Sequence, residues 1–145
     1  MSDVHAVTRL CRASTTEALA LLSQAPGLAR WNLGLWHTQD APAGLLQGRS
    51  LFDGVLGLAQ VVVHAGHGLV EYRVGSTATA LVPRIQARVQ PGPELGFEPG
   101  HCLVTLLAWR SAGMSDERWQ RLCAVHEVEI ELIRAQLEAM PGADS

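Results

Sequence analysis

The sequence predicts an α+β fold: a curved antiparallel sheet wrapped around one long C-terminal helix, with two short helices after the first strand. Three observations predict it. A long amphipathic pattern occupies the end of the chain, from about residue 115 to 140. Between Trp31 and Arg110, short runs rich in Val, Leu and aromatics alternate with turn residues. No internal repeat, low-complexity tract or linker interrupts the 145 residues, so 1–145 reads as one domain with enough chain for a real core.

The elements follow in order. Val4–Arg12 alternates loosely and reads as a first strand. Ser14-Thr15-Thr16-Glu17 fits a capping box opening a short helix through Ala18-Leu19-Ala20-Leu21-Leu22. Pro26-Gly27 ends it or kinks it into a second short helix reaching Arg30. Strands are expected near 31–38, 45–52, 57–64, 69–75, 82–90 and 102–110. The clearest hairpin is 57–75, where Val70, Tyr72 and Val74 share one face and Glu71 and Arg73 the other. Over 83–89, Ile85, Ala87 and Val89 share one face, which leaves Arg84, Gln86 and Arg88 on a solvated one.

Ser115 is a good N-cap for the last helix, Asp116 and Glu117 suit its positive end, and Met140-Pro141-Gly142 ends it. On a wheel of 100° per residue centred on His126, the residues Trp119, Leu122, Cys123, Ile130, Ile133, Leu137 and Met140 all fall within about 60°. His126 therefore sits in the middle of an apolar stripe, which needs an apolar sheet face to lie on. A second strip, Val125, Val128, Leu132 and Ala139, lies at about −100° to −160°. The 102–110 strand is apolar on both faces: Leu103, Leu107 and Trp109 on one, Cys102, Val104, Leu106 and Ala108 on the other. A sheet with a helix on one side should have a more polar outer face, so the short helices or a second subunit must supply extra cover. A homodimer using either surface is expected.

Composition narrows the chemistry. The chain is 48% hydrophobic and 17% charged, which excludes intrinsic disorder. Net charge is −3, with none of the basic excess of a nucleic-acid binder. Every basic residue is arginine, so a lysine Schiff base is excluded. The start lacks a signal peptide's apolar core, and the longest apolar run, Cys102–Trp109, is far short of a membrane span. The odd, scattered Cys11, Cys102 and Cys123 read as reduced core thiols of a cytoplasmic protein. No phosphate loop, G-x-S-x-G or H-E-x-x-H motif occurs, and His64-x-x-His67 lacks a third metal ligand, so neither metal nor cofactor is expected.

The order of elements resembles the START/Bet v 1-like superfamily, also called SRPBCC or polyketide cyclase-like, over nearly the whole chain. The resemblance is carried by Ser14-Thr15-Thr16-Glu17, by Ala29-Arg30-Trp31-Asn32 and by Gly48-Arg49-Ser50-Leu51-Phe52. Thr105…Trp109-Arg110…Met114…Arg118-Trp119 before the long helix adds to it. It implies the helix-grip fold, with a deep cavity between the concave sheet and the last helix, used for apolar small molecules. The superfamily includes binders, lipid carriers, cyclases and chaperone-associated modules, so fold does not settle function.

The reading is accordingly binding of a hydrophobic small molecule or lipid-like ligand, by His126, Tyr72, Trp31, Trp119, Thr105 and Ile130. His126 would offer a hydrogen bond to a ligand; its bland alternative is a core histidine paired with a backbone carbonyl, Thr105 or Tyr72. Tyr72 and the tryptophans could equally be core aromatics. One alternative is a cyclase, hydratase or isomerase using His126 and Tyr72 as acid and base, weakened by the lack of a carboxylate in the cavity-facing set. The other is a protein-interaction module of the chaperone-associated type.

Overall fold

The computed structural model describes residues 2–139. Along the chain run β1 (Val4–Cys11), α1 (Thr15–Ser23), α2 (Ala25–Leu28), β2 (Trp36–Asp40), β3 (Leu46–Arg49), β4 (Leu56–His64), β5 (Leu69–Gly75), β6 (Val82–Pro91), β7 (Cys102–Trp109) and α3 (Asp116–Glu138). The strands form one antiparallel sheet in the order β1-β7-β6-β5-β4-β3-β2, so the first strand pairs with the last and the rest is a meander. The expected fold class is the one observed. The expected end of the last helix at Met140-Pro141-Gly142, and Met140 on its stripe, lie outside the described residues.

Local chemistry sets the ends of the helices. The Ser14 hydroxyl accepts the Glu17 N–H at 3.1 Å to open α1, and the Ser115 hydroxyl accepts the Arg118 N–H at 3.2 Å to open α3. The hairpin between β4 and β5 forms with Val61 opposite Tyr72 and Val63 opposite Val70.

The second strand starts at Trp36 rather than at residue 31. The reason is local. The Asn32 side-chain oxygen accepts the N–H groups of Gly34 and Leu35, an alternative to strand pairing. Residues 31–35 become a loop seated on β3, and Gly48 permits the seating, because a Cβ there would stand 2.6 Å from the Leu35 carbonyl carbon.

The sheet has an inner and an outer face. On β7, Cys102, Val104, Leu106 and Ala108 point inward and are buried. The short helices lie on this same side, since the Tyr72 hydroxyl donates to the Leu22 carbonyl and the Trp31 indole N–H to the Leu21 carbonyl. They therefore do not supply the extra cover expected for the outer face. Cys11 and Cys102 sit directly opposite each other on β1 and β7, both buried and unbridged. Burial pushes their thiols up to about 12 and about 11. Among the described residues, no helix is long and apolar enough to cross a membrane.

α3 does not lie over the centre of the sheet. It packs chiefly against β1 and β7, while α1 covers β6 and α2 touches β2. α1 also touches β4 and β5, so the part of the inner face left open lies between α1 and the flank of α3, and that position determines where a site can be.

Candidate functional site

Between the flank of α3 and the inner face of the sheet lies a cavity of about 800 Å³, within the usual size of a small-molecule site. Its floor includes Leu28, Trp31, Leu35, Val74 and Leu106, and α3 contributes Leu122, Val125, His126 and Glu129. Exposed apolar side chains, Phe52, Val55, Leu56 and Val82, ring the mouth. Across that mouth, Arg121 of α3 stands 3.8 Å from the Asp53 carboxylate and lies over the Phe52 ring at 5.9 Å.

His126 is 5% exposed and lines the cavity. Its Nδ1 is buried without a hydrogen-bond partner. The neighbouring ring is that of His5 on β1, 6.1 Å away and edge-on, and not Tyr72 or Thr105. Burial, with smaller contributions from His5 and Arg84, lowers the imidazole to about 4, so it is neutral at neutral pH.

Glu129 stands one turn on, its Oε1 3.8 Å from His126 Nε2. It is buried, and its other oxygen accepts the Leu33 N–H at 2.8 Å, which fastens the 31–35 loop to α3. Burial raises its carboxyl to about 8, so near pH 7 it is largely protonated. The expectation that no carboxylate faces the cavity is therefore corrected. The signal was present: Glu129 lies about 60° from His126 on the helical wheel, as near as Cys123 on the other side.

Arg84 also corrects an expectation. Tyr72 pairs with Ile85 and Val74 with Val82, so Pro83 and Arg84 together oppose the single residue Arg73. This is a β-bulge, and it turns Arg84 from the solvated face into the cavity wall. Arg84 Nη1 is buried without a hydrogen-bond partner, and desolvation, with the Arg118 charge, lowers the guanidinium below its usual value. Pro83 was the sequence signal: it has no N–H for a ladder and belongs at a strand start or a bulge.

Of the other expected ligand contacts, Trp31 and Tyr72 border the cavity, packed edge to face at 6.3 Å. The Tyr72 hydroxyl is committed to Leu22, and burial pushes it well above its ordinary range. Three do not reach the cavity. Thr105 faces outward, where its hydroxyl shares a 2.7 Å hydrogen bond with Thr8. Trp119 is packed with Ala108 and Met114, and its indole N–H donates to the Ser2 carbonyl at 2.8 Å. Ile130 has no exposed surface and sits in the main core. The second helical strip is divided: Val125 lines the cavity, Leu132 packs against the core, and Val128 is 52% exposed.

This architecture is the helix-grip fold of START-like proteins. Among solved structures it is similar to a START superfamily protein from Mycobacterium smegmatis, at 12% identity and TM-score 0.63, over 94% of this chain and 98% of that one. The Aha1 dimer from Colwellia psychrerythraea is similar at 15% identity and TM-score 0.68, over 98% of this chain and 100% of that one. The di-domain ARO/CYC protein BexL is similar at 13% identity and TM-score 0.70, over 97% of this chain and 48% of that one. No protein-family model and no curated protein matches the sequence.

Proposed function

We propose that the protein binds an apolar small molecule or lipid-like ligand in the cavity between the sheet and α3. The observation that carries this reading is the cavity itself: about 800 Å³, with a largely apolar floor that the chain's own side chains do not fill. A concave pocket of this size that opens at a mouth leaves apolar surface against water, and an apolar ligand would cover it. The START-like fold supports the reading, and reduced thiols fit a cytoplasmic setting. Titration with a neutral fluorescent dye, N-phenylnaphthylamine, tests it. Saturable binding is expected, and Val74→Trp, which fills the floor, abolishes it while leaving the circular dichroism spectrum unchanged. Equal dye binding by both proteins defeats the reading.

A second reading, acid–base chemistry, is favoured by one observation. Two proton-carrying groups, His126 and Glu129, are both held neutral on one cavity wall. Glu129 takes the place expected for Tyr72, whose hydroxyl is engaged elsewhere. Their 3.8 Å separation exceeds a hydrogen bond, which ranks this reading below simple binding. A homodimer is the reading for the outer face. There Val4, Leu10 and Trp109 are each at least 36% exposed on adjacent strands, and the Colwellia neighbour is described as a dimer. Sedimentation velocity at micromolar concentration tests it; a single species at 15.6 kDa, unchanged with concentration, rejects it.

A further inference from the structure

Three arginines border the cavity, and one of them is paired. Arg121 has Asp53 at 3.8 Å. Among the described residues, neither Arg84 nor Arg118 forms an ion pair, and the two lie close enough for one charge to act on the other. The carboxyl on the inner wall, Glu129, is largely neutral near pH 7 because burial raises it. The cavity is thus an apolar space with uncompensated positive charge on its wall.

Hydrogen bonding is unbalanced at the same place. Arg84 Nη1 and His126 Nδ1 are both buried, both lack a partner, and both belong to residues lining the cavity. They are near one another: the His5 ring is 6.1 Å from that of His126, His5 pairs with Ala108, and Ala108 pairs with Ile85, the residue after Arg84. A buried polar group left unpaired is a net loss, and a charged one more so. Arg84 reaches this position only through the bulge at Pro83–Arg84, a local departure from regular pairing at the one place where it changes the cavity's polarity. A ligand anion placed there would complete three deficits together: the charge of Arg84, its free N–H, and the free ring nitrogen of His126.

We propose that the occupant of the cavity is an apolar organic acid, whose hydrocarbon body lies against Trp31, Leu35, Val74 and Val125 and whose carboxylate pairs with Arg84 beside His126. This inference rests on the cavity-binding reading above and adds the chemical class of the ligand. The guanidinium is suited to it, since it stays charged when desolvated and its planar donors match a carboxylate. An uncharged alcohol of the same shape would fill the same space and leave Arg84 without a counter-charge.

Calorimetric titration of the full chain near neutral pH with two matched pairs, decanoate against decanol and naphthoate against naphthalenemethanol, decides the matter. In at least one pair the acid should bind about tenfold or more tightly than the alcohol, the scale of a charge-assisted contact. Arg84→Met should erase that preference and leave the alcohol's affinity within about threefold, because the apolar walls are unchanged. Arg84→Gln, run alongside, keeps a neutral donor and should lose most of the preference. If the alcohol of each pair binds as tightly as its acid, the inference is overturned while the cavity-binding reading stands. A preference for acid that survives in both variants overturns it too, since the carboxylate then sits elsewhere. If neither member of either pair binds and the neutral dye also fails, both readings fall. The comparison within the wild-type protein stands independently of whether either variant folds.

Discussion

The two halves of α3 are continuous helix set against different neighbours. In the C-terminal half, Ile130, Ile133 and Leu137 have no exposed surface and meet the inner face through direct packing with the main core. In the N-terminal half, from Arg118 to Glu129, several side chains border open volume instead. The same 3.6-residue periodicity runs through both. β1 runs beside both, with His5 near His126 and Arg9 paired with Glu131; what differs is that the side chains of α1 join the C-terminal half in the main core, while the cavity opens beside the N-terminal half. The same amphipathic stripe therefore encodes a core where neighbours fill the space beside it and a cavity where they do not.

The largest way to break this comparison is to shorten a side chain in each half. Ile133→Ala should cost about 2–5 kcal/mol in urea unfolding, since it opens a hole in close-packed core. Val125→Ala should cost less than about 1 kcal/mol, because its side chain already faces unfilled space. Equal losses would mean that the cavity flank is as tightly packed as the core flank.

A second effect concerns pH. Glu129 binds its proton more tightly in the folded chain, at about 8 against an ordinary 4.5. Its contribution to stability is therefore present below pH 4.5 and is lost as pH rises towards 8. His126 acts oppositely, being lowered from 6.5 to about 4, so its contribution is lost as pH falls through that window. Between 4.5 and 6.5 the two slopes offset each other, and above 6.5 Glu129 acts alone. Thermal unfolding of the wild type should show Tm falling from pH 6.5 to 8, as the unfolding free energy drops by up to about 1.4 kcal/mol per pH unit. Glu129→Gln should flatten that limb while keeping an acceptor for Leu33. An unchanged slope in the variant would place the titrating group elsewhere.

Much of this molecule was readable from its sequence, and the failures share a cause. The strand sequence, the hairpin with Val61 opposite Tyr72, both helix caps and the buried face of α3 follow from periodicity and capping chemistry, which are local. The errors arose where a distant contact or a single-residue irregularity outweighed the local pattern. Residues 31–35 resemble a strand, but Asn32 and the glycine at 48 make them a loop. Arg84 alternates correctly for solvent until the bulge inverts it. Glu129 lies at the edge of the apolar stripe, and burial with the Leu33 N–H, a contact 96 residues away in the chain, holds it inside. Thr105 failed because both faces of its strand are apolar, which removes the signal that tells inside from outside.

A smaller effect sharpens the polar side of the site. His126→Leu extends the apolar stripe and removes an unpartnered ring nitrogen, so Tm should stay level or rise by a few degrees, the scale of about 1 kcal/mol in a domain of this size. Dye competition should then show preference shifting toward fully apolar compounds. If polar and apolar competitors keep their order, the imidazole does not contact the ligand.

The smallest effect is expected at the mouth. The Asp53–Arg121 pair is solvent-exposed, and such pairs contribute little to folding. Asp53→Asn should leave Tm unchanged. It should nevertheless accelerate dye dissociation in stopped-flow traces, since the contact links the 50–55 loop to α3 across the opening. An unaltered dissociation rate would show that the ligand leaves by another route.

The extra residue in β6 has a consequence for how this cavity can be altered. Side-chain direction in a strand has only two settings, and an inserted residue acts as a frameshift between them. Upstream of it Val82 faces Val74, downstream Ile85 faces Tyr72, and both readings remain in phase with the core. Arg84 alone changes side. Deleting Pro83 would restore plain alternation and return the guanidinium to solvent, with every neighbouring core partner kept. Whether the sheet side of the cavity carries a charge is thus set by the length of one strand, separately from the volume and shape that its apolar residues define.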